Sequence, residues 1–228
     1  MTPQLPLTLR APPDQRFEAF VGADAIRDAV QAAARGAAGD WLFLDGPPGS
    51  GKTHLLLGAC AQARAQGRPV GYLPLASLAG QLPAMLEGQP AAALTCLDGL
   101  EAIAGVRDDE VALFHFHNAV RQAGGCLLYA ANAMPAALGI GLPDLVSRLE
   151  QCTRLALSPP SESTRRDILR ERAARRGLEL DDAVLDYLFR RVGRDLSTLT
   201  GLLDQLDRAS LASQRRITVP FVKSALGG

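Results

Sequence analysis

Residues 46–53 read GPPGSGKT. The spacing G-x-x-x-x-G-K-[ST] follows the apolar run Trp41–Leu44 and opens a stretch with helical spacing, Lys52–Gln66. That strand–loop–helix setting is the one in which such a loop grips a polyphosphate. Glycines let backbone N–H groups turn inward around an anion, and the helix N-terminus adds partial positive charge. Gly46, Pro47, Pro48, Gly49, Ser50, Gly51, Lys52 and Thr53 are therefore expected to hold a nucleotide's phosphates. Lys52 reaches the β- and γ-phosphates, and the Thr53 hydroxyl takes a place on magnesium.

Outward from the loop, five short apolar runs read as buried strands: Trp41–Leu44, Val70–Leu73, Ala93–Leu97, Leu127–Ala131 and Thr153–Leu157. Stretches with helical spacing, such as Lys52–Gln66 and Asp108–Gln122, lie between them. The alternation predicts an α/β domain, a parallel sheet flanked by helices. Ser158-Pro159-Pro160 continues neither a ladder nor a helix. After it the pattern is helical only: Ser161 caps a helix to Arg176, closed by Gly177, and Asp181 caps another. A third helix carries Leu196, Leu199, Leu203 and Leu206. The expected layout is an extended arm at 1–15, an α/β domain at 16–159 and a small all-α lid domain at 160–228.

The LTCLDGLE segment at 94–101 bears on turnover. A nucleotide-hydrolysing strand often ends in two acids, one for magnesium and one to prepare water. Asp98 is placed to hold magnesium through water. Gly99 stands where the second acid belongs, and Glu101 lies beyond the strand. The expectation is good binding with weak or absent turnover, unless Glu101 supplies the missing group.

With 228 residues, 47% hydrophobic and 21% charged, the composition is that of an ordinary globular chain. Basic and acidic residues balance at 24 each, so no global charge points to nucleic acid. Lys52 and Lys223 are the only lysines, a bias a GC-rich genome explains. No apolar run approaches the roughly 20 residues of a membrane helix, and the N-terminus lacks a signal-peptide pattern; the expectation is a cytoplasmic protein without membrane contact. Cys60, Cys96, Cys126 and Cys152 are too dispersed for zinc, and Cys96 and Cys126 read as small core residues. His115 and His117 point to different sides of a helix and read as surface or half-buried. The arginines of 165–176 are interleaved with Asp167 and Glu171 and read as a solvated face rather than a direct DNA contact.

These motifs together resemble the AAA+ family, and within it the DnaA-related branch. GKTHLLLGA at 51–59 is similar to the branch's phosphate loop and following helix, which adds His54 to the nucleotide site. RFEAFVGADA at 16–25 resembles the segment bordering the adenine. LPDLVSRL at 142–149 is similar to the stretch carrying an arginine finger, at Arg148, and Asn132 in YAANAMP falls on the polar sensor of the family. GRDLSTLTGLLDQLDRAS at 193–210 resembles the second sensor region, with Arg194 on the sensor arginine. The resemblance runs over nearly the whole chain. Full-length DnaA also carries an N-terminal partner domain and a C-terminal helix-turn-helix domain. This sequence ends eight residues after Pro220, and the expectation is that neither belongs to it.

The resemblance implies a regulator of replication initiation. It binds ADP or ATP with magnesium, and Arg148 acts in trans on DnaA-bound ATP, leaving inactive DnaA-ADP. QLPLTL at 4–9 resembles the motif by which proteins dock on the DNA polymerase III sliding clamp (its beta subunit), with Gln4, Leu5, Leu7 and Leu9 as contacts. DNA is then met mainly through the clamp, and a homodimer is compatible with the family. Two other readings fit the loop: an autonomous ATP-driven helicase loader of the DnaC type, and a clamp adaptor without chemistry. Arg148 also stands one helical turn from Asp144, a spacing at which a surface ion pair contributes little stability.

Overall fold

The computed structural model describes residues 16–37, 39–87, 92–192, 196–213 and 216–225, with backbone alone at 192, 196–197 and 210–213. Gln4, Leu5, Leu7, Leu9 and Arg194 lie outside the described residues. Chain contacts divide the molecule into two compact units, Met1–Pro159 and Pro160–Gly228.

In the first unit, β1 (Leu42–Asp45), β2 (Val70–Pro74), β3 (Leu94–Asp98), β4 (Cys126–Ala131) and β5 (Thr153–Ala156) form one sheet. Its order is β2-β3-β4-β1-β5, with every neighbouring pair parallel. The strands sit within one residue of the apolar runs that signal them. Successive side chains point to opposite faces, so a run apolar throughout feeds two cores. Leu42, Leu44, Cys96 and Leu128 pack with Leu55, Leu56 and Cys60 of α2 (Lys52–Ala65) and Val30 of α1 (Asp24–Ala34). Phe43, Leu97, Leu127 and Tyr129 pack with Leu113, Phe116 and Val120 of α4 (Arg107–Gln122) and Leu145 and Leu149 of α5 (Pro143–Glu150). A short helix, α3 (Leu82–Leu86), adds Leu82 to this second core.

The start of α4 holds two buried carboxylates, Asp109 and Glu110. Asp109 accepts from the backbone N–H groups of Gly80 at 2.6 Å and Leu82 at 3.1 Å. Glu110 Oε1 accepts from Gly105 N at 2.8 Å and Gly141 N at 2.9 Å. Each acid is thus satisfied by loop amides, the condition for burying a charge.

His117 is fully buried, a correction to the surface or half-buried reading. It packs edge-on against Trp41 with centroids 4.5 Å apart, and its Nδ1 lies 2.8 Å from the Tyr129 hydroxyl. Its pKa falls from the ordinary 6.5 to about 4, chiefly through burial, with the Arg121 and Arg148 charges adding to the effect. The unfolded chain therefore takes up this proton at a higher pH than the folded one. The His117 contribution is whole above the unfolded value of 6.5 and is lost as pH falls through about 4. It amounts to roughly 3 kcal/mol. Urea unfolding across that window should show the wild type losing about that much more than His117→Gln, which has no such proton to take up.

The second unit comprises α6 (Glu162–Arg175), α7 (Asp182–Val192), α8 (Leu196–Ser213) and α9 (Val219–Ala225). Ser161 caps α6 by accepting from Thr164 N at 3.1 Å, and Asp181 accepts from Val184 N at 2.7 Å. Leu169, Val184, Leu185, Leu188, Leu199 and Leu206 form its core. Several arginines of α6 and its C-cap face acids: Arg166 pairs with Asp186 at 2.5 Å, Arg175 with Glu171 at 3.0 Å and Arg176 with Asp204 at 2.6 Å. Arg170 and Arg175 are exposed, whereas Arg165, Arg166, Arg172 and Arg176 are half-buried, so only part of this face is solvated.

Candidate nucleotide site

The loop between β1 and α2 owes its shape to contacts only glycine permits. A Cβ on Gly46 would stand 2.3 Å from the Leu157 carbonyl oxygen. Gly51 has φ +99°, and a Cβ there would stand 2.8 Å from Phe20 Cε2. The close approach lets Phe20 meet the start of α2, where its ring lies edge-on to His54 at 5.4 Å. His54 donates from Nε2 to the Arg16 carbonyl at 2.8 Å. The segment 16–20 and the first turn of α2 therefore form one wall, and His54 belongs to it. The first N–H groups of α2 have no partner inside the helix and lie beside the loop, an arrangement suited to an anion.

Lys52 Nζ donates to Gly46 O at 2.5 Å and Pro47 O at 2.9 Å, with Ser50 Oγ at 3.4 Å. Burial lowers its pKa, against which Glu101, then Asp98 and Asp45, act to hold the charge. Thr53 Oγ1 donates to Asp98 Oδ2 at 2.7 Å, so the two expected magnesium ligands meet. One hydroxyl and one carboxylate beside a phosphate loop fit magnesium, which takes most of its remaining oxygens from water and phosphate. The ion, when bound, would neutralise charge between the β- and γ-phosphates. Among the described residues no three His, Cys, Asp or Glu side chains gather into a metal cage.

Three residues join the site that the motifs did not assign to it. Tyr72 donates its hydroxyl to Asp98 Oδ2 at 2.8 Å, and burial first, then Asp98, raises its pKa. Its signal was available only through register, since β2 and β3 pair Tyr72 with Cys96 and Pro74 with Asp98. Glu101 sits in a 3-10 turn, Leu100–Ala102, entered through Gly99 at φ +83°. Its Oε2 accepts from the backbone N–H of Asn132 at 3.1 Å. An acid beyond the strand thus returns to the strand ends. Asp45, just before the loop, is clasped by Arg154 Nε at 2.6 Å and Nη2 at 2.8 Å. The Asn132 side chain has no hydrogen-bond partner among the described residues, so it is not spent on capping a turn.

Arg148 lies elsewhere. It is in the last turn of α5, and Nη1 donates to Gln151 Oε1 at 3.5 Å. Gln151 lines a cleft with Trp41, which precedes β1, whereas the phosphate loop follows β1. Five residues at about 3.3 Å each separate those two levels by roughly 16 Å. Arg148 therefore stands at the amino edge of the strands, away from its own chain's loop. The Asp144–Arg148 ion pair that the spacing allows is not formed.

Comparison with known proteins agrees with this fold. Domain III of the replication initiation protein DnaA from Thermotoga maritima superposes with a TM-score of 0.80 at 24% identity, covering 95% of this chain and 97% of that one. AMPPCP-bound DnaA from Aquifex aeolicus gives 0.69 at 24% identity over 86% of this chain and 65% of that one. The RuvB Holliday junction branch migration motor from Thermotoga maritima gives 0.66 at 17% identity over 93% of this chain and 71% of that one. These likenesses carry the fold. Residues 162–226 match the family model for the lid domain of Hda. Its C-terminal unit is therefore an Hda-type lid, on a chain with the fold of DnaA domain III. The Hda lid match falls on α6–α9, while the phosphate loop, Asp98 and Asn132 lie on the α/β unit. No helix among the described residues is long and apolar enough to cross a membrane.

Proposed function

We propose that this chain is a nucleotide-binding regulator of replication initiation that docks on the sliding clamp and completes the ATPase site of DnaA with Arg148. The observation that carries the reading is the place of Arg148. It is remote from its own phosphate loop, and among the described residues it has no carboxylate partner, so its guanidinium is available to a neighbour. In hydrolysis, water adds to the γ-phosphorus as the bond to the bridging oxygen breaks. ADP leaves with the electron pair, and the water's proton ends on inorganic phosphate. A guanidinium supplied in trans stabilises charge on the transferring group. The Hda-type lid and DnaA-like fold support DnaA as the neighbour.

Bound ADP or ATP with magnesium, held by the loop, Lys52, Thr53 and Asp98, serves the chain's own shape. Gly99 after Asp98 accords with weak turnover of that nucleotide. Gln4, Leu5, Leu7 and Leu9 would dock on the beta clamp, bringing the chain to DNA indirectly in the cytoplasm; pairing with a second copy is compatible with this. ATP-loaded DnaA incubated with the chain, with and without DNA-loaded clamp, should release γ-phosphate quickly only when both are present. Replacing Gln4 and Leu5 with alanine should remove the clamp-dependent part of that stimulation, roughly 10-fold or more. Clamp binding that survives the double substitution refutes the docking assignment.

A second reading, an autonomous ATPase such as a helicase loader, draws on Glu101, whose carboxylate stands near both Lys52 and Asn132. It requires steady hydrolysis by the purified chain alone, lost in Glu101→Gln.

A further inference from the structure

The geometry points to Arg121 as a second cation that contacts the neighbour's triphosphate beside Arg148; this deepens the reading of Arg148 above and rests on it. Arg121 closes α4 as Arg148 closes α5. A helix C-terminus favours a cation, which explains how both are held without a carboxylate. Arg121 Nη1 and Arg148 Nη1 each donate to the same acceptor, Gln151 Oε1, at 3.5 Å. Neither makes an ion pair among the described residues. Two guanidinium groups gathered on one neutral amide repel each other, and a multiply charged phosphoryl group would satisfy both with better hydrogen bonds.

A cleft of about 240 Å³ opens beside them, lined by Trp41, Arg121 and Gln151. Arg121 lies 5.2 Å over the Trp41 ring, a stacking that orients its planar fork while leaving its edge exposed. The carboxylate in the cleft, Asp40, accepts from the Thr153 hydroxyl at 3.2 Å and forms no ion pair with Arg121. His117 beneath feels both arginine charges, consistent with their shared location. Two cations converge on one oxygen at an open edge, and the ligand class that fits them is the polyphosphate of a nucleoside triphosphate bound by the adjoining subunit.

The test is single-turnover γ-phosphate release from ATP-loaded DnaA with DNA-loaded clamp and a range of concentrations of the full chain. Arg121→Gln keeps a stem to cover Trp41 while removing the charge. It should lower the rate at saturation on the order of 100-fold with the half-saturating concentration unchanged, and Arg121→Lys should recover part of the loss. A full rate in Arg121→Gln, with Arg148→Ala inactive, overturns this inference and leaves the Arg148 reading intact. A change confined to the half-saturating concentration overturns it as well, because Arg121 is then a docking contact. A full rate in Arg148→Ala removes the Arg148 reading and this inference with it. Urea midpoints equal to wild type show that a rate loss is not misfolding; if Arg121→Gln fails to fold, a full rate in well-folded Arg121→Lys and Arg121→Ala overturns the inference instead.

Discussion

Arg148→Ala is expected to lower clamp-dependent hydrolysis of DnaA-bound ATP by about 10³–10⁵-fold, the range over which a finger in trans acts. Binding of nucleotide to this chain should stay as it was. The separation of the two effects follows from position: Arg148 is in the last turn of α5, beyond the amino ends of the strands, and its contact is Gln151. Losing one weak hydrogen bond at a half-exposed side chain leaves folding almost untouched, within about 0.5 kcal/mol. Phosphate-release kinetics and a nucleotide titration on the same preparation check both halves. Hydrolysis that persists in the variant sinks the finger assignment.

The second large effect belongs to Lys52→Ala, which should weaken this chain's own nucleotide binding on the order of 100-fold, close to 3 kcal/mol. Two causes act in the same direction. The ammonium that meets the phosphates is gone, and Glu101, Asp98 and Asp45 lose the cation that offsets them, so the site repels what it once attracted. Calorimetry with ADP and ATP in magnesium measures the loss. An unchanged dissociation constant means that the nucleotide binds somewhere other than this loop.

Local pattern revealed most of the fold. Apolar runs such as Leu127–Ala131 are buried on both faces, and their short length and unbroken hydrophobicity mark them. Ser161 and Asp181 announced their helices because capping is a short-range act. The phosphate loop and the meeting of Thr53 with Asp98 were legible for a similar reason, a fixed spacing tied to a fixed chemistry. What stayed hidden depends on parts of the chain distant in sequence. Asp109 and Glu110 look like ordinary solvated acids in a helix's first turn, and only the loops folded over them bury their charge. His117 reads as surface until Trp41 and Tyr129 close around it. Glu101 seems out of reach until the turn after Gly99 brings it back to Asn132, and Arg121 joins Arg148 only because α4 and α5 end at the same edge.

Glu110 has one more consequence. A single carboxylate oxygen receives the amides of Gly105 and Gly141, and Gly141 stands just before the helix that bears Arg148. Lengthening either loop by one residue would pull an N–H away and strand a negative charge in an apolar interior. Surface loops ordinarily drift in length between relatives. These two should not, and libraries of random insertions or deletions across the chain should return few soluble survivors at either place.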